Sequence, residues 1–353
     1  MLLERKTSVR SAVALRLARA LGPVLLVTVG LSAFGLTCKT QSEMSSPQRS
    51  MLEQAALTLA AHVQAGDTAA VKAETIAAVA YQFDGIANSI ETVSRLMQHA
   101  TLTANQIYLL DASDFKSAAD AEFFCGLPSS SLTVEISIPN LPPGVYALAV
   151  VHATGVKNPQ AVSMVLENEP VGSDTWKLAG FFTRPMMMGG HDGVWFWQQA
   201  RDYSAKKENW NAYFYYQTAE FLLDPVDFLT SPNLQKLRSE AEKVLPEGLP
   251  GASPMQLPGG GKTYSVTNIH TGELADQLDL ILTYEASANA DPVAARAQVT
   301  AVMRALLAEH PELRGAFHGL WVYATTRDKQ HPFALELPMG QIENSGSPSG
   351  QHG

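Results

Sequence analysis

Apolar positions recur at alternating three- and four-residue steps through Ile76, Val79, Phe83, Ile86, Ile90, Val93 and Met97. That spacing predicts one stripe of an amphipathic helix. An earlier stretch carries Leu52, Leu59 and Val63 and is cut off by Gly66-Asp67-Thr68, so residues 51–100 predict a helical hairpin. The pattern then shortens to apolar, β-branched runs at 106–110, 132–138, 145–153, 161–166 and 176–182, separated by turn residues at 139–144, 155–159 and 169–174. These predict strands, and helices followed by a chain of antiparallel strands make 51–185 an α+β domain.

Residues 186–245 return to helical spacing, and Ser231-Pro232 offers an N-cap and a first-turn proline for a further helix to about residue 245. A Pro- and Gly-rich stretch at 246–262 predicts a linker. Strand-like runs at 264–269 and 278–284 follow, then a helix over 291–309 with Val299, Val302, Met303 and Leu306 facing inward, then runs at 320–325 and 333–337. The order ββαββ makes 263–340 a small α+β module, and the polar stretch 341–353 predicts a disordered tail.

Three resemblances attach to this frame. In residues 193–225, Phe196, Ala200, Tyr203, Ala212, Tyr216 and Ala219 fall at the offsets of a single tetratricopeptide helix pair; Gln199 and Lys207 stand where that family has Leu and Gly, and Pro225 falls one residue late. Within 51–185, Leu141-Pro142-Pro143-Gly144-Val145-Tyr146 resembles the turn and strand of carboxypeptidase-regulatory-like β-sandwiches. The leading helices and Trp176-Lys177-Leu178-Ala179-Gly180-Phe181 resemble the NTF2-like cone fold. The NTF2-like likeness implies a conical pocket, and the tetratricopeptide likeness implies a binding groove lined by the first helix of the pair, at Trp197, Arg201 and Ser204.

At the N-terminus, Arg5, Lys6, Arg10, Arg16 and Arg19 precede an uncharged apolar run from Ala20 to Thr37, the order of an export signal over 1–37. Gly35-Leu36-Thr37-Cys38 resembles a bacterial lipobox, which implies acylation of Cys38 with 38–50 as a polar tether. The alternatives are ordinary cleavage at the small-x-small Ala33-Phe34-Gly35 with Cys38 given no role, or pairing of Cys38 with Cys125 in an oxidising compartment. These are the two cysteines of the chain, too few for a disulfide framework or a Cys-based zinc site. The 353 residues carry a formal charge of -9, and loss of residues 1–37 leaves about -13. Such a chain has no basic surplus with which to bind nucleic acid, and membrane contact is expected only through a lipid on Cys38.

Motifs for chemistry are few. Gly259-Gly260-Gly261-Lys262-Thr263 ends like a phosphate loop but has Gln256 where the first glycine belongs and a strand-like run after it. Ser204-Ala205-Lys206-Lys207 matches Ser-x-x-Lys without its partner motifs. The nine histidines form no metal-ligand spacing, so no metal or cofactor is expected; His191-Asp192 is the one pair singled out. The dominant feature is that nine of 28 aromatics lie between Trp195 and Tyr216. A tetratricopeptide core uses Phe196, Tyr203 and Tyr216. Trp195, Trp197, Trp210, Tyr213 and Tyr215 are surplus: they either pack the hairpin onto its neighbours or, with Arg201 and Ser204, form a platform for a protein or glycan partner. The reading is an exported or lipid-anchored, non-catalytic binding or scaffold protein, against a hydrolase or isomerase with a pocket in 51–185, or a spacer without a ligand.

Overall fold

The computed structural model describes residues 36–126, 133–286, 291–326 and 333–342. The predicted signal up to residue 35 and the tail beyond 342 lie outside the described residues. The fold is α+β, as expected.

Strand β1 (Thr37–Thr40) leads into α1 (Ser46–Ala65), which Ser45 and Gln48 cap reciprocally and Gly66 closes in the left-handed region. Residues 38–50, expected as a free tether, are therefore structural. The predicted long helix after Gly66 is three pieces: α2 (Thr68–Ala73), α3 (Ala77–Ala80) and α4 (Asp84–Met97). The chain is pinned at the first break, where the Ile76 N–H donates to the Leu178 carbonyl at 3.0 Å, so the apolar stripe cannot run as one rod.

Strands β2 (Thr101–Asp111), β3 (Ala119–Cys125), β4 (Val134–Leu141), β5 (Val145–Thr154), β6 (Gln160–Asn168) and β7 (Trp176–Pro185) follow. A short ribbon, β8 (Met187–Met188) with β9 (His191–Asp192), leads to α5 (Gly193–Ala205) and α6 (Asn209–Leu223). Then come β10 (Leu229–Thr230) and α7 (Pro232–Glu242), capped by Ser231 as its sequence predicts.

The antiparallel sheet β1-β2-β5-β6-β7 is covered on both faces. Ala147, Ala149, Val151 and Ala153 of β5 face α1 and α4, and the small side chains let Ala56 and Ala60 of α1 come close. Tyr146 and Leu148 face the other way, onto the sheet β10-β4-β3 through Phe123, Ile136 and Leu229. This two-sided burial explains why β5 reads as an unbroken apolar run rather than an alternation. Cys38 on β1 and Cys125 on β3 are disulfide-bonded across the two sheets. A sulfur so bonded has no thiol to carry a thioether lipid, so acylation of Cys38 is corrected in favour of the pairing.

The second core is built around the sheet that begins after residue 250. Strands β11 (Met255–Gly259), β12 (Lys262–Leu274) and β13 (Gln277–Glu285) form a meander; α8 (Pro292–Glu309), capped by Asp291, crosses over to β14 (Gly319–Thr325), parallel to β13, and β15 (Phe333–Pro338) closes the sheet before α9 (Met339–Ile342). Val299, Val302, Met303 and Leu306 are fully buried against the sheet. The expected linker thus holds a strand, β11. Its Gly260-Gly261 pair, with φ of 61° and 76°, makes the β11–β12 hairpin turn, which assigns the glycine-rich motif to chain reversal and not to phosphate binding. Residues 186–245 are also divided. The helical hairpin and Leu237, Ala241 and Val244 belong to this second core, while Val226, Leu229 and Leu234 belong to the first. Among the described residues no helix is long and apolar enough to cross a membrane.

At this junction the Asp224 carboxylate, 6% exposed, accepts from Arg238 Nη2 at 2.9 Å, and Arg238 Nε donates to Glu220 at 2.7 Å. Burial pushes the Asp224 pKa up to about 6 from 3.8, against the pull of Arg238. A carboxyl whose folded pKa lies above its unfolded value stabilises the fold fully below the unfolded pKa, and that contribution is lost as pH rises through about 6. The stability of the wild type relative to Asp224→Asn is expected to fall by about 2–3 kcal/mol between about pH 3.5 and pH 7; urea denaturation at several pH values checks this, and a flat difference contradicts it. The disulfide spans 87 residues, so Cys125→Ser is expected to cost about 4 kcal/mol in the same assay. Alkylation and mass spectrometry of the unreduced wild type should find no free thiol, whereas acylated Cys38 would leave Cys125 reactive.

Candidate functional site

The aromatic stretch does not form one platform. It is shared among three surroundings, and the two helices of the hairpin explain how. Asp192 caps α5 by accepting from the Trp195 N–H at 2.8 Å, and the His191 ring stacks on Trp195 with centroids 3.6 Å apart. Trp195 is half-buried, edge-on to Phe196 at 5.0 Å. Tyr215 is 5% exposed; its hydroxyl donates to the Ala316 carbonyl at 2.6 Å and its ring meets Phe317 at 5.8 Å. Burial pushes the Tyr215 pKa well above the ordinary phenol value. Trp210, 8% exposed, stacks on His310 at 3.8 Å, and the neighbouring Asn211 amide donates to the Glu312 carbonyl at 2.9 Å. Trp210 and Tyr215 are therefore packing residues that clamp the hairpin onto the segment between α8 and β14. Their expected place on an exposed platform is corrected.

Trp197 and Arg201, expected to line a binding groove, are turned toward α7. The Trp197 indole N–H donates to Glu240 Oε2 at 2.8 Å, and Arg201 reaches the same carboxylate through Nε at 2.8 Å and Nη2 at 3.0 Å. The guanidinium also lies 4.5 Å from the Trp197 ring centre. Burial alone would raise the Glu240 pKa, but the hydrogen bonds from Arg201, Trp197 and Tyr216 outweigh it and hold the carboxyl below its usual range. These contacts fasten α5 to α7, and Trp197 also lines, with Val194, Leu223, Leu234 and Leu237, a cleft of about 240 Å³. Ser204 lies half-buried near the end of α5, where its carbonyl accepts from the Lys207 N–H at 3.0 Å. That turn is structural.

Tyr213 lines an open cleft. With Phe214, Gln217 and Phe221 of α6 it faces Ile269 and His270 of β12 across a cleft of about 370 Å³ that is mostly apolar. Phe221 is 37% exposed. Strand β11 pairs only as far as Val266, so among the described residues 268–274 of β12 have no strand partner on that side. A second cleft, of about 280 Å³, lies between His191, Trp195 and Tyr215 on one wall and Gln277, Leu278 and His318 on the other. In the first domain, a surface cleft against α4 is lined by Asn88, Ser89, Thr92, Gln160, Thr183 and apolar groups, with no carboxylate or imidazole.

Beside the second cleft the structure brings together Asp279 of β13, His318 just before β14, and Glu336 of β15. Their potential ligand atoms all lie within 4.8 Å of one another. Asp279 is fully buried, and His318 Nδ1 lies 3.0 Å from its Oδ1. Asp279 Oδ2 and Glu336 Oε1 are buried without a hydrogen-bond partner. Burial raises the Asp279 pKa, partly offset by His318 and the Gly319 N–H; burial and then the Asp279 charge raise that of Glu336. Gly319 is required here, since a Cβ would stand 2.8 Å from the Leu337 carbonyl oxygen and 3.0 Å from Glu336 Oε1.

Sequence reasoning missed these three because they are distant along the chain. A signal was present, though. Asp279 interrupts the apolar run Leu278-Asp279-Leu280, and Glu336 sits between Leu335 and Leu337, and a charge inside a core strand needs a partner.

Compared with protein-family models, curated proteins and solved structures, the chain has no significant match in any of the three.

The clamp is tested by stability. Trp210→Ala is expected to cost about 3–5 kcal/mol, and Tyr215→Phe about 1–2 kcal/mol through the unpaired Ala316 carbonyl, both read from chemical denaturation.

Proposed function

We propose that the chain is an exported, non-catalytic binding protein that takes an extended segment of a protein partner along the free edge of β12. The observation that carries this reading is that 268–274 of β12, paired with β13 on one side and, among the described residues, with no strand on the other, lies beside the apolar cleft of Tyr213, Phe221 and Ile269. A peptide added there gains main-chain hydrogen bonds from the edge, and alternate side chains reach the cleft. The volume, about 370 Å³, suits one or two apolar side chains. A glycan is less well matched, because the rings expected to offer flat faces are instead packed or already stacked. The tetratricopeptide-like spacing of α5 and α6 agrees with a partner-binding role, and the Cys38–Cys125 bond is consistent with an oxidising compartment. The net negative charge favours basic or neutral segments over acidic ones.

Peptides selected from a random library on the wild-type protein should lose at least tenfold in affinity on Phe221→Asp, and should slow hydrogen exchange of amides 267–274 when bound. Equal binding by the variant, or protection elsewhere, would sink the edge-strand reading. Export is checked separately, by fractionation of the tagged chain.

A further inference from the structure

We propose that Asp279, His318 and Glu336 form a binding site for a divalent transition-metal ion, with Zn²⁺ as the best-matched occupant. This does not rest on the peptide-binding reading, since the residues lie at the other cleft. Asp279 and Glu336 stand on β13 and β15, and His318 immediately precedes β14 between them, tied to β13 by its N–H on the Leu278 carbonyl, so the sheet sets their spacing. Two carboxylates are brought close together in a place where neither Asp279 Oδ2 nor Glu336 Oε1 has a hydrogen-bond donor. Leaving such oxygens desolvated and unpaired is costly, and a cation between them removes both problems at once.

The donor set selects among cations. One imidazole nitrogen with two carboxylate oxygens suits Zn²⁺, which is held at about 2.0–2.2 Å by His and carboxylate. Ca²⁺ and Mg²⁺ prefer all-oxygen shells. The present spread of up to 4.8 Å closes by about 1 Å to reach Zn²⁺ bonding geometry. His318 supplies that movement most readily: its side chain is 40% exposed, and its Nδ1 exchanges the contact with Asp279 Oδ1 for the metal, leaving its proton on Nε2. Asp279 is the fixed member, fully buried within strand β13. Gly319 leaves the space that lets Glu336 approach. With three protein ligands, the ion keeps at least one position open, and His318 also lines the cleft of Tyr215 and Gln277.

The test uses the full chain, stripped with a chelator and titrated with Zn²⁺ alone by calorimetry at neutral pH, with thermal unfolding in parallel. The expected result is one ion per chain at micromolar affinity or tighter, a rise in Tm with added Zn²⁺, and no displacement by millimolar Ca²⁺. His318→Ala and Glu336→Gln should each weaken binding at least tenfold while circular dichroism stays unchanged. Asp279→Asn should abolish the Zn²⁺-dependent rise in Tm without lowering the Tm of the metal-free chain. Co²⁺ in place of Zn²⁺ should give a visible spectrum of nitrogen and oxygen ligation that the His318→Ala variant loses. Failure of the wild type to bind Zn²⁺, binding that survives in both His318→Ala and Glu336→Gln, or displacement by Ca²⁺ would each overturn the assignment.

Discussion

Helices α5 and α6 carry nine rings within 22 residues, so the pair has apolar surface on both sides and cannot leave either in water. Most of the second half of the molecule follows from how that surface is covered. Trp210, Phe214, Tyr215 and Tyr216 are buried with the C-terminal sheet and α8 in one core. Two polar contacts then fix the hairpin's position: the Tyr215 hydroxyl on the Ala316 carbonyl and the Asn211 amide on the Glu312 carbonyl. Both acceptors lie in the short segment that feeds β14. Packing of the hairpin therefore sets where β14 begins, and so where His318 and Gly319 meet Asp279.

The two α+β layers are interlocked rather than strung in series. After α6 the chain turns back to give Val226, Leu229 and Leu234, at the start of α7, to the first core, and the rest of α7 returns to the second through Leu237 and Ala241. Arg238 ties this excursion down through Glu220, Asp224 and Thr230. Glu240 on the same helix gathers Trp197, Arg201 and Tyr216. α7 is thus fastened by charge on both sides, which is why a boundary drawn from composition alone does not coincide with a structural one.

What was legible in the sequence was periodicity. The runs at 145–153 and 161–166, the helix after Asp291 and the cap at Ser231 all stand in the structure close to where the pattern puts them. Strand β3 was missed because its buried positions Ala121, Phe123 and Cys125 alternate with exposed Glu122 and Phe124, a weak signal in a short run. Strand β11 was missed because a proline and glycines looked like a linker, although a proline is tolerated at a sheet edge. The aromatic density was visible, but not its division among three neighbourhoods, because the partners His310, Phe317 and Glu240 lie elsewhere in the chain. The charges at Asp279 and Glu336 inside apolar runs were visible too, but not their meeting with His318, for the same reason. The three meet only when three strands align.

The bond between Cys38 and Cys125 has a consequence for how the chain is made. Synthesis delivers the first sulfur 87 residues ahead of the second, and the sequence holds no third cysteine to intercept it. Within a single molecule oxidation therefore has one product and no isomers to sort. The error open to it is a covalent dimer formed between two half-finished chains, a hazard that grows with crowding and not with any defect in the fold.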